Sequence, residues 1–270
     1  MPARYDTVSF LSDYGLDDEF VGVVKAVIRG IAPHVTVIDI SHGVPPHDVR
    51  AGGLALARSV QYLPPGVVLA VVDPGVGGGR RPLALRDAEG RLYVGPDNGL
   101  LVPAAERLGG IDGAWELQNP AYRLEPVSRT FHGRDLFAPA AAHLASGVDP
   151  AELGPALDPA SLVRLEVPEP VARDGFIRAH VVIVDRFGNV QLNVDPDELA
   201  AMGERISLRY GDQVRTAVRV HNYAELGPGQ IGLVVDSYGL VAVCLDKRSA
   251  ADELHLHPPA EVTLEPAAER

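Results

Sequence analysis

The chain has 270 residues, 46% of them hydrophobic, and carries 24 Lys and Arg against 36 Asp and Glu, a formal charge of −12. That length supports one large domain or two unequal ones with real cores, and the acidic balance argues against nucleic-acid backbones and anionic membranes as partners while suiting a cationic ligand. No stretch approaches the ~20 apolar residues of a membrane span, and the single cysteine, Cys244 in LVAVCL, excludes an internal disulfide and reads as a buried strand position, so a soluble cytoplasmic protein is expected.

In chain order, TVSFL (7–11) reads as a first strand, SDYGLDD as a loop and EFVGVVKAVIRGIAP as an amphipathic helix closed by Gly30 and Pro33. VTVIDI (35–40) reads as a second strand, SHGVPPHD as a loop, VRAGGLALARSVQYL as a second helix and GVVLAVVD (66–73) as a strand apolar enough to be buried on both faces. This alternation predicts an α/β domain with a largely parallel sheet, its ligand groups just beyond the strand ends, where Asp13, His42 and Asp73 stand. Residues 152–175 are rich in Pro and lack a sustained period, which marks an interdomain connection. Beyond it FIRAHVVIVD, NVQLNV, RISLRY, VRTAVRV, IGLVVDS and LVAVCLD are short strand-like runs, with only DPDELAAMG helical in character. The expectation is an α/β domain over 1–168 and a smaller all-β barrel over 169–270, with the terminal PAAER frayed.

Two segments concentrate chemistry. VVDPGVGGGR (71–80) and RTFHGRD (129–135) supply a carboxylate, Asp73, a fixed cation, Arg80, and an imidazole, His132, a trio able to prepare water for attack. A phosphate-cradling reading of GVGGGR fails on detail: Arg80 stands where a dinucleotide fingerprint needs its third glycine, RPLAL reads as a strand rather than a helix, and no G-K-[ST] occurs. His132 also suits a plain polar role at the start of the helix DLFAPAAAHLA. His42, His47 and Asp48 come nearest to metal-ligand spacing, but two prolines interrupt them and no H-E-x-x-H or Cys pair supports the site, so no metal is expected. Asp13, nearest the strand end, fits a ribose-binding carboxylate, whereas Asp17 and Asp18 fit helix caps. In VDRFGNVQLN, Asp185, Phe187 and Asn189 surround a glycine and offer a carboxylate, a stacking ring and an amide able to read an adenine edge; a plain hairpin turn explains them as well.

Taken together and in order, SDYGLDDEFVGVVKAVI, VIDISHGVPPHDVRAG, VVDPGVGGGRRPLAL, GPDNGLL, TFHGRDLFAPAAAHLA, VDRFGNVQLNV and DSYGLVAVCLD resemble the S-adenosylmethionine hydroxide adenosyltransferase family, hydrolases related to the fluorinases and chlorinases. The resemblance spans residues near 8 to near 250. It implies cleavage of S-adenosylmethionine to adenosine and methionine without a cofactor, in a homotrimer with sites between subunits. It implies Asp73, Arg80 and His132 as the catalytic set, Asp13 on the ribose, Phe187 and Asn189 on the adenine, Asp185 and Ser237 at the methionine end, and a backbone group near Leu245. The halogenating relatives carry an aromatic hydroxyl in place of Asp73, Thr in place of Val76 and Tyr-Ser in place of His132 and Gly133, so water rather than halide is the expected nucleophile here. Ala242 stands where the hydrolases carry Glu, and Asp236 is the nearby acid that could substitute. The competing readings are a halide-dependent adenosyltransferase on the same fold, a non-catalytic adenosine or S-adenosylmethionine sensor and, last, a metal hydrolase.

Overall fold

The structure is a computed structural model that describes residues 5–166, 168–173 and 175–267. The chain divides into two compact units, residues 1–166 and 167–270.

The first unit is built on a six-stranded sheet in the order β2-β1-β3-β5-β4-β6, from β1 (Thr7–Ser12), β2 (Thr36–Ser41), β3 (Val67–Val71), β4 (Pro82–Asp87), β5 (Leu92–Pro96) and β6 (Ile111–Glu116). The neighbours β2-β1-β3-β5 run parallel, and β4 opposes both β5 and β6, which makes this the largely parallel α/β sheet that the alternation of strand and helix segments predicted. Strand pleating sends alternate side chains to opposite faces. Val8 and Phe10 of β1 and Val67, Leu69 and Val71 of β3 therefore enter one core, while Leu11, Val68, Ala70 and Val72 enter another.

The first core is closed by α1 (Phe20–Ile31) and α4 (Ala138–Ala145). Helix α1 buries Val21, Val24 and Ile28, a helical stripe. Helix α4 is buried almost all round, and its alanines keep it thin enough to sit against the sheet and α1 together. The second core lies under α2 (Val49–Ser59) and α3 (Val102–Arg107). Asp48 caps α2 by accepting from the Ala51 amide at 2.8 Å. At Gly52 an added Cβ would meet Leu100 at 2.9 Å and Val72 at 3.0 Å, so the helix needs glycine to lie this close. Asp17 and Asp18 do not cap α1: Glu19 occupies that position and no side-chain cap bond forms. The proline-rich segment packs along this first unit as far as Leu165, whose side chain lies against Gly53 and Gly99.

The second unit is a barrel. Seven strands close a ring through β8 (Phe176–Val184), β9 (Val190–Leu192), β13 (Val241–Leu245), β12 (Ile231–Val235), β11 (Gln213–Val220), β10 (Arg205–Tyr210) and β14 (Glu261–Pro266), which pairs back onto β8. A short β7 (Val171–Arg173) pairs with the start of β8. All pairs are antiparallel except β11 with β12. Alternate residues such as Ile177, Ala179, Leu192, Leu208, Leu233 and Val243 fill the interior. Helix α5 (Ala250–Leu254) adds Ala250, Ala251 and Leu254 to that core. The carboxyl end is paired rather than frayed as far as it is described. Pro266 belongs to β14 and the Ala267 amide donates to the Arg205 carbonyl at 3.1 Å, while residues 268–270 lie outside the described residues. Among the described residues no helix is long and apolar enough to cross a membrane.

Candidate active site

Asp73 follows the buried β3 at its C-terminal end, where a parallel sheet presents ligand groups. Its position is secured twice. Asn98, in GPDNGLL, donates to the Val72 carbonyl at 2.8 Å, just before Asp73. The glycine-rich turn that follows folds back on itself, with the Val76 amide donating to the Asp73 carbonyl at 3.2 Å and that of Gly78 to Gly75 at 3.0 Å. Gly77 has φ 73°, and a Cβ there would stand 2.1 Å from the Arg129 carbonyl oxygen. The loop backbone thus lies directly on the segment leading to His132, at a place only glycine permits. Gly77→Ala is expected to cost about 1–3 kcal/mol or more, from left-handed strain plus the backbone clash; an unaltered thermal denaturation profile would contradict the contact.

The turn delivers Arg80 onto Asp73 as an ion pair. Arg80 Nε donates to Asp73 Oδ1 at 3.0 Å and Nη2 to Oδ2 at 2.5 Å, with both side chains at 10% exposure or less. The same Nη2 reaches His132 Nδ1 at 2.7 Å, and the guanidinium lies 5.1 Å from the Phe137 ring centroid. A guanidinium has only donors, so Nδ1 of His132 accepts and the ring proton resides on Nε2. Burial, then the Arg80 charge, hold the imidazole below its ordinary pKa of 6.5 against the opposing pull of Asp73 and Asp135. The imidazole is therefore neutral at pH 7.

His132 stands at the N-cap position of the helical segment, but its side chain makes no cap bond. It enters a wide π-type turn, Gly133–Phe137, that runs directly into α4, and such turns recur at functional sites. Asp135, 1% exposed, holds the approach: its carboxylate accepts from the Ser128 amide at 2.8 Å and from Arg134 Nε at 2.6 Å. Burial opposes that charge, and the bonds from Arg134 and Ser128 outweigh it, leaving the carboxyl below the usual range.

Asp73 and His132 share the wall of an open cavity of about 240 Å³ with Asp13, Tyr14, Val76 and Gly133. Arg80 is not on that wall; it reaches the two wall residues from behind. The volume is just below the roughly 300–1,000 Å³ typical of pockets that enclose drug-sized ligands. Asp13 accepts from the backbone amide of His47 at 2.9 Å, and the Gly15 amide donates to the His42 carbonyl at 2.8 Å, which lace the SDYG and SHGVPPHD loops together. His47 has φ 69°, a strained conformation for a residue with a side chain.

His42, His47 and Asp48 serve separate purposes. His42 is buried, with Nδ1 2.7 Å from Ser12 Oγ and Nε2 3.1 Å from Asp39 Oδ1, while Asp48 caps α2. Among the described residues no group of three His, Cys, Asp or Glu side chains is placed to hold a metal ion. Asp39 in turn takes Lys25 at 2.6 Å; burial works against its ionisation, but the bonds from Lys25 and His42 prevail and lower its pKa. The relay ends beneath the site, where Ser12 Oγ accepts from the Tyr14 amide at 3.3 Å.

The remaining predicted residues lie in the barrel unit, all but Leu245 on two turns of one design. In DRFGN, Asp185 Oδ1 accepts from the amides of Phe187 at 2.8 Å and Asn189 at 2.9 Å. In DSYGL, Asp236 Oδ1 accepts from Tyr238 at 2.8 Å and Leu240 at 3.2 Å. Gly188 at φ 82° and Gly239 at φ 80° occupy the same place in each turn. The first turn leaves Phe187 80% exposed, and Asn189 Nδ2 donates to Asp185 at 2.7 Å, which leaves the amide a second N–H and its carbonyl oxygen. Ser237 is exposed on the second turn, and Leu245 ends β13. Asp236 also accepts from Gln191, so its carboxylate is engaged within the fold. Ala242 is buried against Leu226, Val234 and Cys244, where a glutamate would enter an apolar cluster.

The chain thus joins an α/β unit with a largely parallel sheet and a seven-stranded barrel unit, and carries a carboxylate, guanidinium and imidazole linked beyond a strand end. The chain matches the SAM hydroxide adenosyltransferase N-terminal domain over residues 8–154 and the C-terminal domain of the same family over 179–263. It belongs to that family. It is 50% identical over 253 residues, 93% of this chain and 94% of the other, to the (R)-S-adenosyl-L-methionine hydrolase of Salinispora tropica. A more distant relative, 29% identical over 98% of this chain and 99% of its own length, is the fluorinase of an Actinoplanes species. The crystal structure of an uncharacterized conserved protein from Thermotoga maritima superposes with a TM-score of 0.88 at 33% identity, covering 95% of this chain and 99% of that one.

Proposed function

We propose that this protein hydrolyses S-adenosyl-L-methionine to adenosine and L-methionine, with water as nucleophile and Asp73, Arg80 and His132 as the groups that prepare it. The carrying observation is the continuous network from Asp73 through Arg80 to His132, whose two ends face one cavity. The identity to hydrolases so named supports the substrate, and their name points to the R-configured sulfonium.

In this reading water attacks the ribose C5′ in line with the departing sulfur. The new bond joins the water oxygen to C5′, the C5′–S bond breaks with its electron pair moving to sulfur, and methionine leaves as a neutral thioether. The leaving group needs no acid, so the task is to align water and take its proton. Asp73 is the acceptor: a carboxylate has about four lone-pair directions and Arg80 does not use them all. His132, whose Nδ1 lone pair is held by Arg80, would turn its ring N–H, which also lies near the Ser128 backbone, towards the same water. Arg80 fixes both and supplies positive charge behind the developing hydroxide. An approaching halide would meet the Asp73 carboxylate and be repelled.

Asp13 would take the ribose hydroxyls, and Phe187 with the unused half of the Asn189 amide the adenine. Asp185, Ser237 and the backbone near Leu245 would complete the substrate contacts. The working form is a cytoplasmic homotrimer and needs no metal or organic cofactor, as the family resemblance implies. A monomer mass by light scattering would remove the trimer.

The decisive experiment is incubation of metal-free protein with S-adenosylmethionine, with and without chloride or fluoride, followed by chromatography. Halide-independent adenosine and methionine, unaffected by chelator, are expected. Tight nucleoside binding without product would replace the hydrolase by a sensor.

The His132 pKa sets a pH dependence. Because its folded value lies below 6.5, the neutral form persists as pH falls through the ordinary value, and only at lower pH does protonation set imidazolium against Arg80. Turnover should hold as pH falls through 6.5 and drop only at lower pH, around the folded value, whereas fold stability should begin to decline from about pH 6.5 downward, since the unfolded chain binds that proton more readily. A kcat that begins to fall well above pH 6.5 would contradict a neutral His132.

A further inference from the structure

Resting on the hydrolase reading, we propose that Tyr14 is a specificity-determining residue: its hydroxyl fills the space beside Gly133, sizes the nucleophile pocket for water and presents a neutral O–H to it. An added Cβ at Gly133 would stand 2.1 Å from the Tyr14 hydroxyl oxygen, but 3.1 Å from the nearest ring carbon and 3.4 Å from the next. The hydroxyl therefore makes the severe clash at 133, and without it the ring would have to give by only a few tenths of an ångström. Both residues line the cavity that Asp73 and His132 share.

The ring that carries this hydroxyl is held in place. Phe10, Phe20 and Phe131 surround it, with centroids 6.4, 5.8 and 5.8 Å away and the contacts with Phe10 and Phe131 edge-on. Its backbone amide is tied to Ser12 Oγ, the end of the buried run through His42 and Asp39. Burial, then the charges of Asp13 and Asp73, raise the phenol pKa against the opposing effect of Arg80, so the hydroxyl keeps its proton throughout the working range. The pocket beside Asp73 is thus bounded by a rigid neutral donor, which suits water.

The claim separates volume from folding through Tyr14→Phe, Gly133→Ala and the double variant, each given S-adenosylmethionine with and without methanol. Methanol is a neutral nucleophile slightly larger than water; its oxygen would bond C5′, its proton would pass to Asp73 and the thioether would leave as before. Tyr14→Phe should keep its KM, lose about tenfold in kcat, the scale of one hydrogen bond, and begin to form 5′-O-methyladenosine, which the unaltered protein should not. Gly133→Ala alone should lose at least a hundredfold, and adding Tyr14→Phe should restore the double variant to within about threefold of Tyr14→Phe. The proposal is overturned if Gly133→Ala retains full activity, if the two losses multiply, or if methanol and water partition alike with and without the hydroxyl. Absence of adenosine from the unaltered protein would instead overturn the hydrolase reading, so the two failures are distinguishable.

Discussion

Asp73→Asn is expected to lower kcat for adenosine release by about 10²–10⁴, the usual contribution of a general base, with KM nearly unchanged. The amide keeps the size of the carboxylate, so the cavity keeps its shape. What is lost is the acceptor for the water proton, and an NH2 group is set against Arg80, whose Nη2 now lies 2.5 Å from Asp73 Oδ2. Quantifying adenosine under saturating substrate, with binding measured separately, checks this. A variant that binds less tightly but turns over at the original rate would make Asp73 a substrate-binding group and move the base elsewhere.

The second large effect should come from Arg80→Ala, and it should differ in kind. Asp73 is 5% exposed at its side chain and Arg80 10%, so truncating the cation leaves a buried carboxylate without its partner, a change that typically costs about 3–5 kcal/mol. His132 loses its Nδ1 donor at the same time. Both turnover and thermal stability should fall; Asp73→Asn leaves the buried Arg80 charge unpaired in its turn and should also lower stability, though by less, because the amide oxygen still accepts from Arg80. Joint replacement, Asp73→Asn with Arg80→Ala, removes both charges and should recover much of the stability without any activity. If Arg80→Ala alone melts as the unaltered protein does, the pair contributes charge to the reaction but nothing to the fold.

The family relatives place these residues in context. The chain is 50% identical over 253 residues to a hydrolase and 29% identical over 302 residues to a fluorinase, so relatives of both names share its family. In the proposed reading Asp73 would repel an anion and the Tyr14 hydroxyl against Gly133 would exclude a bulkier nucleophile, one filter acting on charge and the other on volume.

Much of this protein is determined locally and so was legible in the sequence. The strands 7–12 and 67–71 and the helix 20–31 follow from uninterrupted apolar runs and a helical stripe, whose burial dominates their conformation. The same holds for the strand-end placement of Asp13 and Asp73, because polar residues that follow a buried parallel strand must emerge at its carboxyl edge. Strand β14 and helix α5 escaped that reading, since EVTLEP and AADEL are short, and the pairing of β14 with β8 and β10 and the packing of α5 onto the barrel core stabilise them more than propensity does. The roles within the site were decided only by tertiary structure. Arg80 behind the cavity wall, the proton on His132 Nε2, His42 closed between Ser12 and Asp39, and the Tyr14 hydroxyl over Gly133 all join side chains from separate segments. The physical reason is range: backbone propensity and hydrophobic period act over a few residues, whereas a hydrogen bond or a steric contact depends on where the packed chain brings two distant atoms.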